Sequence, residues 1–89
     1  MKDGFYYIGY GWGTDCELLD SSIRKPIPTY KEALEKALES HNEELDYQRS
    51  IGNKKGDVMN TYVVLYDHGE YQMAIISGWK SHVTEYEYE

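Results

Sequence analysis

The chain has little of several things that would reveal its function at once. A single cysteine, Cys16, stands among 89 residues, which excludes an intramolecular disulfide. No apolar run is long enough to span a bilayer, and no signal-type segment follows Met1. The expectation is therefore a cytoplasmic chain. Basic residues number 9 against 16 acidic ones, for a net charge of −7. That balance argues against direct nucleic-acid binding and against attachment to an anionic membrane, both of which need a cationic footprint. Only two prolines occur, Pro26 and Pro28, so long stretches are free to be regular. At this length one domain spanning 1–89 is expected, with a thin core.

Aromatic residues, by contrast, are plentiful, with ten tyrosines and two tryptophans. They concentrate first in Phe5-Tyr6-Tyr7-Ile8-Gly9-Tyr10-Gly11-Trp12-Gly13. Read as a strand, Tyr6, Ile8, Tyr10 and Trp12 share one face, while Phe5 and Tyr7 lead into a lane of glycines at 9, 11 and 13 on the other. Glycine weakens a strand, so something must come close on the bare side. It is either an aromatic ring from elsewhere in the chain or an outside partner. The helix covers either the Tyr6/Ile8/Tyr10/Trp12 face, the arrangement preferred, or the glycine lane, which would leave Tyr10 and Trp12 as an interface.

Residues 13–28 have the composition of a loop, rich in Gly, Asp, Ser and Pro. Thr29 and Glu32 then form a capping-box pattern after Pro28. Tyr30, Ala33, Leu34, Ala37, Leu38, His41 and Leu45 follow as one apolar stripe, predicting an amphipathic helix that ends near 47–50 with Gly52 as a left-handed stop. Thr61–Tyr66 and Tyr71–Ser77 read as a hairpin. A two-residue His68-Gly69 loop sets Tyr62 against Ile75 and Tyr66 against Tyr71, but also Asp67 against Glu70, which is unfavourable. Residues 82–89 alternate again, as a charged edge strand or a tail. The expected fold is α+β: a small antiparallel-rich sheet of three or four strands with one amphipathic helix on one face, in the order β-α-β-β-(β).

Enzyme signatures are missing. Cys16 sits between Asp15 and Glu17, which oppose thiolate formation, and no histidine stands near it in a recognisable pattern. His41, His68 and His82 lack zinc-ligand spacing, and Asp15, Glu17 and Asp20 lack the rest of a calcium loop. No catalytic residue, metal or cofactor is expected. His41, on the apolar stripe, reads as a hydrogen-bonded core or boundary histidine in preference to a ligand.

Two binding patterns remain. Glu32, Glu35, Glu39, Glu43 and Asp46 are spaced 3, 4, 4 and 3 apart, one carboxylate stripe opposite the leucines. Such a row suits a basic partner protein, with Tyr10 and Trp12 as aromatic anchors; the plainer alternative is an ordinary solvated helix face. The other pattern joins Tyr10 and Trp12 to Lys54 and Lys55 as a site for a small molecule or nucleotide, although the lysines lack the phosphate-loop pattern. Small, acidic, aromatic-rich domains of this kind include phage-encoded inhibitors of nucleic-acid-handling and defence enzymes, anti-CRISPR proteins among them. That likeness is one of class, without shared motifs. The functional expectation is a non-enzymatic inhibitor or regulator, monomeric or homodimeric, of a larger basic partner.

Overall fold

In the computed structural model, which describes residues 5–13, 15–18, 26–67 and 69–86, the glycine-aromatic run is extended, as its alternation predicts. It forms strand β1 (Phe5–Trp12). The other elements are β2 (Asp15–Leu18), helix α1 (Tyr30–Ser50), β3 (Asn60–Asp67), β4 (Gly69–Ser77) and β5 (His82–Glu85). The strands make one antiparallel sheet in the order β2-β1-β3-β4-β5, and the helix lies on one face of it. This is the expected α+β architecture with one more strand. Asp15–Leu18, read as loop from its composition, pairs with β1 from Gly9↔Leu18 to Trp12↔Asp15. Its strand character comes from that pairing and not from local propensity. Leu19, Asp20, Ile23, His68 and residues 87–89 lie outside the described residues.

Capping signals set both ends of α1. The Thr29 hydroxyl accepts from the Glu32 N–H at 3.2 Å. At the other end Gly52 adopts φ +91°, as its position predicts. Its N–H bonds the Arg49 carbonyl at 3.1 Å and the Asn53 N–H bonds that of Gln48 at 2.9 Å. These two bonds are the Schellman arrangement that satisfies the last carbonyls.

The helix buries Ala33, Ala37, His41 and Leu45, one residue per turn along a single line. Alanine at the first two positions lets the helix axis come close to the sheet. The bulk is supplied from below by Tyr6, Val63, Leu65, Met73, Ala74 and Ile76, with Ile8, Leu34, Leu38 and Val83 at the margin. The helix thus covers the Tyr6/Ile8/Tyr10 face of β1, the arrangement expected. Tyr6 is also fixed through its backbone, exchanging bonds of 3.0 and 2.9 Å with Ile27. That contact leads the chain straight into α1.

The glycine lane on the opposite face is filled from within. Tyr62 of β3 stands directly across from Gly9, and its hydroxyl donates to the Gly13 carbonyl at 2.6 Å. The ring therefore runs along the lane past Gly11, replacing the packing the glycines lack. Tyr62, Val64 and Ile75 form a second buried cluster there.

In the hairpin, Tyr62 faces Ile75 as expected, but the register shifts between Val63 and Val64. Beyond that bulge Tyr66 faces Glu70 and Asp67 faces Gly69, so the opposed Asp67–Glu70 pair of a two-residue loop is avoided. The bulge also allows the consecutive residues Met73 and Ala74 both to be buried in the helix-side core.

Candidate partner-binding face

The outer face of α1 carries the carboxylates. Glu32, Glu35, Glu39, Glu43 and Asp46 are all exposed, and their spacing sets neighbouring Cβ atoms about 5–6 Å apart. Two of them have cations. Glu32 lies 3.9 Å from Lys36 and Asp46 lies 3.0 Å from Arg49, exposed pairs that add little stability. The central three, Glu35, Glu39 and Glu43, have no ion-pair partner among the described residues. The middle of the helix therefore presents a row of carboxylates with no ion pair among the described residues, bordered by Lys31 and Lys36.

The two aromatic candidates on β1 part company. Tyr10 is half-buried, and its hydroxyl meets that of Ser40 on α1, so it braces helix against sheet. Trp12, at the strand end, is 55% exposed, and its indole makes no hydrogen bond to a described residue.

Lys54 and Lys55 are exposed on the loop after α1, whose geometry is tied from within. The Asn53 side chain accepts from the Gly56 N–H at 2.8 Å and donates to Gln48 Oε1 at 3.0 Å. The Gly56 carbonyl accepts from the Trp79 indole N–H at 3.0 Å. Trp79 belongs to the turn between β4 and β5, and Arg49 stacks over its ring at 5.2 Å. The lysine loop leads into β3, the neighbour of β1, and is tied on its other side to the Trp79 turn. Among the described residues no hydrogen bond or cation–π contact joins Tyr10 or Trp12 to Lys54 or Lys55.

His41 is a core residue, as its place on the apolar stripe suggests. It is fully buried. Nε2 bonds the Gly78 carbonyl at 2.9 Å and Nδ1 the Thr61 hydroxyl at 3.0 Å. A carbonyl only accepts, so Nε2 carries a hydrogen, while Nδ1 and the Thr61 hydroxyl share the second bond. One side chain thereby ties α1 to β3 and to the β4–β5 turn, where Gly78 takes φ +72°. At the helix start, the Tyr30 hydroxyl donates to Glu85 Oε2 at 2.7 Å, and its ring packs on Tyr6 with centroids 5.9 Å apart. Burial, then the bond to the Glu85 carboxylate, raises the Tyr30 pKa above the ordinary phenol value.

Cys16 lies in β2 opposite Gly11, and His82 is exposed at the start of β5. Among the described residues no three His, Cys, Asp or Glu side chains stand together as metal ligands. No helix among them is long and apolar enough to cross a membrane.

Two surface residues escape the sequence pattern. Tyr47 and Ile51 are 57% and 59% exposed, four apart at the end of α1. The signal that separates them from the core stripe is angular, since they fall on the flank of Ser40 and not on that of Leu45. Comparison with protein-family models, with curated proteins and with solved structures finds no match for this chain.

Proposed function

We propose that this protein is a non-enzymatic binding protein that inhibits or regulates a larger, basic, nucleic-acid-handling partner, in the manner of phage anti-defence inhibitors. One observation carries the reading: the row Glu35, Glu39 and Glu43, exposed and without cations among the described residues. It lies on a chain of net charge −7. Opposite charge speeds encounter and fixes orientation.

Magnitudes define how such a row acts. From Glu32 to Asp46 the helix rises about 21 Å, one carboxylate per roughly 5 Å. A nucleic-acid strand carries one phosphate per about 3.4 Å. The helix is a sparser polyanion than the strand it would displace, so charge steers the complex and other contacts hold it.

The test replaces Glu35, Glu39 and Glu43 together by Gln. A partner isolated by affinity capture from the source cells is titrated by calorimetry at several salt concentrations. The expected result is at least tenfold weaker binding at low salt and a shallower salt dependence, with an unchanged circular dichroism spectrum. Equal affinity of the folded variant overturns the proposal.

A further inference from the structure

Three large apolar side chains, Trp12, Tyr47 and Ile51, are each more than half exposed, and the packing of β1 against α1 brings them to one corner. Tyr6 packs on Tyr30 and Tyr10 reaches Ser40. These contacts are four residues apart on β1, about 13 Å, and ten apart on α1, about 15 Å. Strand and helix therefore advance side by side in the same direction. Trp12 is on the same face as Tyr10 and about 7 Å farther on, level with residues 44–45 of α1. Ser40, Glu44, Tyr47 and Ile51 follow one another at spacings of four, three and four, so they share the helix flank turned toward β1. Trp12 borders that flank where Tyr47 and Ile51 emerge.

The corner continues into the acidic face. Glu43 is one turn before Tyr47 and Glu39 one turn before that; both are exposed and without an ion-pair partner among the described residues. An occupant must then offer apolar groups to the corner and cations alongside. A second copy of the chain would bring two charges of −7 together, and an anionic bilayer would be repelled.

We propose that the Trp12–Tyr47–Ile51 corner is the anchor for a cationic amphipathic segment of a protein partner. Its apolar side chains pack against Trp12, Tyr47 and Ile51 while its Lys or Arg side chains reach Glu39 and Glu43. Aromatic anchors beside complementary charge are the arrangement that slows dissociation. This inference rests on the acidic-face reading above and adds where the partner is held.

Nitrogen-15 spectra of the full chain test it, because the indole N–H groups of Trp12 and Trp79 give separate signals. The probe is a synthetic helical peptide of Lys and Leu with one apolar face; a Lys-only peptide of equal length and a Glu/Leu peptide are the controls. The Lys/Leu peptide is expected to shift the Trp12 indole and the Tyr47 and Ile51 amides, leaving the Trp79 indole in place. Tyr47→Ser and Ile51→Ser together should weaken it at least tenfold with the remaining amide spectrum unchanged. Absence of binding, equal binding of the Glu/Leu peptide, or concentration-dependent Trp12 shifts without peptide overturns the inference. If the Lys-only peptide binds equally well and Glu39→Gln with Glu43→Gln weakens it, the corner falls and the acidic face stands. If the Ser variants lose the Lys/Leu peptide while the Gln variants keep it, the corner stands and the acidic face falls.

Discussion

Trp12 and Trp79 sit at the same end of the sheet in opposite circumstances. Trp79 gives its N–H to the Gly56 carbonyl and lies under the Arg49 guanidinium, so both its polar edge and its ring face are engaged. Trp12 is mostly exposed and its ring has no such partner among the described residues. The turn that carries Trp79 is held again by His41, through Gly78, and by Ser81, whose hydroxyl donates to Asn42 at 2.8 Å. Side chains thus close the β4–β5 side of α1, while on the β1 side past Ser40 Tyr47 and Ile51 are exposed. The same residue type is tied into the structure on one flank and stands exposed on the other.

Substitutions that cut the tied flank should sharpen this contrast. His41→Ala leaves the Thr61 hydroxyl and the Gly78 carbonyl without their partner and opens a cavity. A loss of about 3 kcal/mol is expected, read as a lower urea midpoint with little change in slope. Trp79→Ala removes one hydrogen bond and a half-buried ring, for about 2 kcal/mol.

Tyr30→Phe should lower stability by about 0.5–1 kcal/mol at neutral pH, and its pH dependence has a definite sign. The folded-state pKa of Tyr30 is raised, so its contribution is fully present below the unfolded-state pKa of about 10 and is lost as the pH rises above it. Urea midpoints measured from pH 8 upward should therefore fall less steeply for Tyr30→Phe than for the parent. Trp12→Ala, on the open flank, should stay within about 0.5 kcal/mol of the parent. A loss as large as that of Trp79→Ala would break the comparison and make Trp12 a structural residue.

Local chemistry made much of this legible. Thr29 and Gly52 marked the ends of α1, and the apolar period correctly placed Ala33, Ala37, His41 and Leu45 inside. The carboxylate row was readable for the same reason, because residues three and four apart share a face whatever the helix packs on. Pairings between distant segments were not readable. Asp15–Leu18 becomes a strand only because β1 offers it an edge, and Tyr62 finds the glycine lane only because β1 and β3, separated by the whole helix, become neighbours. The exposure of Tyr47 and Ile51 has a dimensional cause. A helix of 21 residues rises about 32 Å, whereas the eight residues of β1 span about 26 Å. The last turn overhangs the strand beneath it, a mismatch that only the assembled layers reveal.

The cover over the glycine lane also sets an order of events. Tyr62 and Gly13 are separated by 49 positions, and synthesis proceeds at about 5–20 residues per second. The glycine-aromatic strand therefore exists for roughly 2–10 s before the ring that fills its bare face has been made. Until β3 is made, the edge of β1 that β3 covers has no partner within the chain, the kind of template to which other strands add.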